Sequence, residues 1–142
     1  MRIVLDTAIL VRANVKASGP ARSLLERIAG GQHQLILSPF LLEEAERVLN
    51  YPRIQSLYAL SPADIEEQMN LLAAVAEIVD PLPGEPVVLC DSHDDPVVYT
   101  ALAGRADILC TLDRHFYDPR VVEFFRAHNI AVMSDVELLG LL

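Results

Sequence analysis

Along the whole chain, short runs of Ile, Val and Leu alternate with longer stretches whose apolar residues recur every three or four positions. "RIVLD" (2–6), "HQLILS" (33–38) and "DILCTLD" (107–113) are continuous apolar runs of strand length, and "IAVMS" (130–134) is a last one. Between them the helical spacing predicts a helix over 18–30, with Pro20 near its start and Gly30–Gly31 past its end. A second helix is predicted over 38–50, with Ser38 as N-cap and Pro39 at the first position. A third, over 61–78, repeats the Ser-Pro start, and "AEIVDPL" at its end is a candidate third strand. Asp95-Pro96 opens a helix that stops near Gly104, "RVVEFFRAHN" (120–129) forms another, and "DVELLGLL" closes the chain.

Strands that are apolar throughout, each separated from the next by a helix, belong to a parallel sheet buried on both faces. The expected fold is therefore α/β: a three-layer α/β/α sandwich around a parallel sheet of four to five strands. In open sheets of this kind, ligands bind outside the carboxyl ends of the strands. That places the site before any motif is considered.

The chain has 142 residues, 52% of them hydrophobic, enough for one core and one domain spanning 1–142. No apolar run reaches the ~18 residues that cross a bilayer, and "MRIVLD" does not read as a signal peptide, so a cytoplasmic location is expected. Cys90 and Cys110 have neither disulfide-framework nor zinc spacing, and Cys110 reads as core filling. The formal charge is −9, with Lys16 the only lysine. That is not the footprint of a protein that binds nucleic acid by its net charge, but it suits one that binds cations.

The acids are what need explaining. Five aspartates lie within 91–113, a stretch otherwise small and apolar. Asp6 ends the first strand, Asp113 ends the "DILCTLD" strand, and Asp94 stands at the entrance of the helix leading into it, so all three belong to one rim of the sheet. Glu44 can reach that rim from the 38–50 helix, whereas Glu43 points about 100° away around it. Singly, each acid has an ordinary role as a cap, a turn residue or a solvated charge. Together they would repel one another strongly, and Arg12, Arg53 and Arg114 do not suffice to neutralise them. A hard divalent cation, Mg²⁺ or Mn²⁺, takes such oxygen ligands and serves phosphoryl chemistry.

"IVLDTAILV", "LILSPFLLEEAERVL" and "DSHDDPVVYTALAGRADILCTLD" resemble, in content, order and spacing, the PIN-domain (PilT N-terminus) nucleases, especially the bacterial and archaeal members that include VapC-type toxins. The likeness runs over roughly residues 2 to 134. It implies a metal-dependent endoribonuclease using Mg²⁺ or Mn²⁺, with Asp6, Glu44, Asp94 and Asp113 as catalytic and metal-binding acids. It further implies that Thr7 and Thr111 orient the acids or a bound water. Asp91 matches a frequent extra acid, either an outer ligand or a loop residue, and Asp95 is a supporting acid at the helix entrance. Arg12, Lys16 and Arg114 are candidate contacts to the RNA substrate. The implied partners are RNA, an antitoxin protein and a second copy of the chain in a homodimer, for which the 120–129 helix is a candidate unless it is core. One departure is visible: two residues after Asp6 the family often has Asn or Ser, and here Ala8 cannot hydrogen-bond. Ser92, His93 and His115 lie near the acids and read as loop residues.

Rival chemistries fit less well. A haloacid-dehalogenase-like phosphatase needs an aspartate where Ala8 stands, a receiver domain needs a lysine better placed than Lys16, and no phosphate-cradling glycine loop is present. The alternative from another class is a PIN-fold module that binds RNA or protein without cutting.

Overall fold

The computed structural model describes residues 1–82, 84 and 95–142. The expected Asp91, Ser92, His93 and Asp94, and Cys90, lie outside the described residues. The first strand, β1 (Arg2–Leu5), leads through Asp6 into a short helix, α1 (Thr7–Arg12). Helix α2 (Pro20–Arg27) follows, then a wide turn over Ile28–Gln32 in which Gly31 takes a φ of 99°, a conformation that glycine enters without a Cβ penalty. Next come β2 (Gln34–Leu37), α3 (Pro39–Leu49), α4 (Pro52–Tyr58), α5 (Pro62–Val75) and β3 (Ala76–Ile78). The C-terminal part holds α6 (Asp95–Ala103), β4 (Ile108–Cys110), a 3₁₀ turn (Arg114–Tyr117), α7 (Pro119–Ala127), β5 (Ala131–Met133) and α8 (Asp135–Leu141).

The five strands form one sheet in the order β3-β2-β1-β4-β5, and all four pairings are parallel. β1 is central: Val4 is in register with Ile36 of β2 on one side and Leu109 of β4 on the other. Strand order turns away in both directions from β1, so the chain's first loop and the one after β4 lie side by side at the carboxyl end of the sheet. That is where such folds place their ligand. Ile3, Val4, Leu5, Ile36, Leu37 and Leu109 are fully or almost fully buried, as strands covered by helices on both faces must be. On one side, Phe125 of α7 is buried and meets Phe116 at 6.3 Å and Phe124 edge-on at 5.8 Å. The aromatic helix 120–129 is thus core on this face through Val121 and Phe125.

Gly104 closes α6 against the sheet. A Cβ there would lie 2.3 Å from Cγ2 of Ile36, a branched side chain on a central strand with no room to withdraw. Gly104→Ala should cost about 1–3 kcal/mol, the range for overpacking a tight core, read as a lower urea midpoint with unchanged slope. A midpoint equal to that of the parent chain would contradict this packing.

The differences from the pattern-based elements have local causes. The 61–78 helix ends at Val75, and Ala76–Ile78 pairs with Leu35–Leu37 as β3. Alanine-rich "AAVAEI" suits a helix, so only the pairing decides it. α1 and α4 were not expected, because α1 has an all-apolar centre and α4 buries no residue fully. No described helix is long and apolar enough to cross a membrane.

Candidate active site

Asp6 does two structural jobs at the end of β1. Its backbone N–H donates to the Cys110 carbonyl at 3.1 Å, carrying the β1–β4 ladder one step on. Its side chain caps α1, with Oδ1 accepting from the Ile9 N–H at 3.1 Å. The other oxygen, Oδ2, accepts a hydrogen bond from the Thr111 hydroxyl. Thr111, just past β4 and fully buried, also accepts from the Asp113 N–H at 3.0 Å. One hydroxyl therefore links two acids from two strands. Asp113 in turn caps the 3₁₀ turn, its Oδ1 accepting from the His115 N–H at 2.9 Å.

The third acid comes from α3. Ser38 caps this helix by accepting from the Leu41 N–H, and Pro39 fits its first turn. The turn of the helix leaves Glu43 exposed and Glu44 half-buried. Asp6, Glu44 and Asp113 then line one cavity of about 230 Å³, together with Thr7 and Ala8. Val48, Phe116 and Val97 supply its apolar wall.

Burial pushes the Asp6 carboxyl up from its ordinary 3.8 to about 6. The hydrogen bonds from Thr111 and Ile9 act against this, and the nearby charges of Asp113 and Glu44 add to it. An acid whose ionisation is opposed by burial, with neighbouring charges adding to it, is a frequent mark of a working site. Among the described residues, no three acid, histidine or cysteine side chains close on a single point as a ready-made cation cage. The cavity is lined by hard oxygen donors, and the buried Thr7 hydroxyl has no hydrogen-bond partner among the described residues. That donor set fits a hard divalent ion that keeps several waters, as Mg²⁺ does. Asp6, Glu44 and Asp113 are the described residues that would hold it.

The other expected residues are placed variously. Asp94 and Asp91 fall outside the described residues. Asp95 is buried at the start of α6 and does not line the cavity. Arg12 turns its guanidinium towards buried Asp135, 3.8 Å away at the head of α8. The charge of Lys16 acts on Asp64 near the start of α5. Arg114 is exposed directly after Asp113. The His115 ring lies 3.6 Å from the Asp113 carboxylate. The sequence reasoning missed Val48, Val97, Phe116 and Tyr117. Val48 had a signal, being one helical turn after Glu44. The others gave none, because their places depend on how α6 and the 3₁₀ turn fold back on the sheet.

A family model described as PIN domain matches residues 2–115, well over half of the chain. Among solved structures, a chain from "Crystal structure of VapBC2 from Rickettsia felis bound to a DNA fragment from their promoter" matches with a TM-score of 0.56 and 17% identity. The match covers 94% of this chain and 98% of that one, and at such low identity it speaks for the fold. A search of curated proteins gave no match. With the parallel sheet, its strand order and a family match that spans the described acids, the conclusion is plain: this chain belongs to the PIN-domain family.

Proposed function

We propose that the protein is a divalent-metal-dependent endoribonuclease of the VapC toxin type, which hydrolyses RNA phosphodiesters and is restrained by an antitoxin. PIN domains are generally nucleases that use divalent metals. The observation that carries the proposal is the meeting of Asp6, Glu44 and Asp113, from β1, α3 and the end of β4, around one cavity where Asp6 is costly to ionise. Such an arrangement weakens the fold and is explained by a ligand that the acids hold.

Each residue then has a part. Asp6, Glu44 and Asp113 would hold Mg²⁺ or Mn²⁺, with Asp94 as the fourth acid of the set. Bound there, the cation would supply an activated water and charge stabilisation for in-line attack on phosphorus. Thr111 fixes the direction of Asp6 Oδ2, and the Ile9 N–H fixes Oδ1, so the buried acid has one orientation. Thr7 offers its unpaired hydroxyl to a water or a phosphate oxygen. Arg114, exposed beside Asp113, meets a neighbouring phosphate of the strand, with Arg12 and Lys16 as further contacts. The homodimer and the antitoxin belong to the same proposal, and the likeness to VapBC2 from Rickettsia felis supports the second of these.

The test is cleavage of fluorogenic single-stranded and hairpin RNAs with Mn²⁺ and with EDTA. Cleavage in Mn²⁺, abolished by EDTA and leaving 5′-phosphate and 3′-hydroxyl ends, is the expected result. No cleavage in Mn²⁺, or equal cleavage in EDTA, would overturn the proposal. Ala8 favours a second reading, a PIN-fold module that binds without cutting, because it lines the cavity and its side chain offers no polar atom. RNA retained but uncut in Mn²⁺ would select that reading.

A further inference from the structure

Thr111 is the joint between the two strand-end acids, and three of its polar groups are engaged. Its N–H donates to the Met133 carbonyl at 3.0 Å, and its hydroxyl joins Asp6 to Asp113. Its carbonyl accepts from the Tyr117 hydroxyl at 2.8 Å. In the β4–β5 ladder, Ala131 donates to Asp107 and Thr111 donates to Met133, so the next rung would bring the N–H of residue 135 to the Thr111 carbonyl. By residue 135 the chain has already become α8. The phenol supplies the donor at the point where the sheet runs out, as a strand-end carbonyl requires.

We propose that Tyr117 is a positioning residue for the acidic pocket: by holding the Thr111 carbonyl, it closes the 111–117 loop and sets where Asp6 and Asp113 point. The rest of the loop is built for this. The Phe116 N–H donates to the Asp113 carbonyl at 3.1 Å. The buried Phe116 ring packs against Phe125, which fixes the turn that presents Tyr117. Partial burial, with the negative charge of Glu137 nearby, pushes the phenol up to about 12, so it remains a donor across the neutral range. Tyr117 is 40% exposed as a residue and stands outside the core, so removing the hydroxyl opens no core cavity.

The kinetic consequence rests on the nuclease reading; the structural one does not. In saturating Mn²⁺, Tyr117→Phe should lower kcat about tenfold with KM little changed, the low end of what losing a partner behind a metal ligand costs. The loss should be constant from pH 6 to 9. In the metal-free protein, hydrogen exchange at the Asp113 amide should quicken severalfold in Tyr117→Phe, while amides of β1–β2 keep their protection. Tyr51→Phe, at the N-cap of α4, should change neither. Unchanged kcat together with unchanged Asp113 exchange would overturn the proposal. If the parent chain cuts no RNA, the nuclease reading fails, and the Asp113 amide alone decides whether Tyr117 positions the acid.

Discussion

Asp6→Asn should abolish RNA cleavage and at the same time make the protein more stable at neutral pH. The loss should be at least about a hundredfold, the order seen when one preorganised contact to a transition state is removed. The gain in stability follows from the pocket's electrostatics. Asp6 ionises near pH 6 in the folded chain and near 3.8 when its environment is ordinary. Between those values the unfolded chain gives up the proton first, so folding stability falls as pH rises from about 4 to 6 and is flat above. The full gap corresponds to about 3 kcal/mol. Asparagine carries no charge and escapes this penalty. It weakens the bond to Thr111, which returns about 1 kcal/mol, so a net gain of about 2 kcal/mol is expected at pH 7.5. Chemical denaturation of both proteins in EDTA at pH 4.5 and 7.5 checks it. The difference between them should grow with pH; a constant difference, or a destabilised variant at pH 7.5, would refute the assignment of Asp6.

The second large effect concerns the cation. Burial, with the charges of Asp113 and Glu44 adding to it, opposes ionisation of Asp6. A divalent ion offsets this, so Mn²⁺ should stabilise the parent chain by an amount that grows with the logarithm of its concentration above the dissociation constant. At a hundred times the dissociation constant the gain is about 2.7 kcal/mol. Because the carboxylates bind only when ionised, the shift in melting temperature should be larger at pH 7.5 than at pH 5. Glu44→Gln or Asp113→Asn should reduce it, and Asp6→Asn should nearly remove it. An equal shift in the parent and in Asp6→Asn would move the cation elsewhere. The readout needs no substrate, so it stands apart from the question of RNA.

How far the sequence carried can be judged residue by residue. β1, β2 and β4 were legible because strands buried on both faces must be apolar throughout, and α3 because Ser38 and Pro39 mark its start. α1 was not, because Asp6 plays two parts: the residue that ends a strand is also the cap of the next helix. β3 was legible as the candidate strand "AEIVDPL", but its boundary with the helix before it was not, since only pairing with β2 sets it. Among the candidate site residues, Asp6 and Asp113 were legible as strand-end acids and Glu44 from the family resemblance, and the structure brings the three to one cavity. Arg12 was read towards the same rim, and its guanidinium lies 3.8 Å from Asp135, a buried acid just past β5 whose pairing the chain order does not announce. Tyr117 shows the same limit: what it holds is set by where β5 stops.

The central place of β1 also has a consequence for how the protein is born. Its register partner Leu109 lies more than a hundred residues later, so the edge between β1 and β4 must await nearly the whole of translation. Until β4 emerges from the ribosome, Asp6 has neither Thr111 nor Asp113 beside it. A chain that ends before Thr111 therefore carries Asp6 without the neighbours that orient it and line the cavity with it.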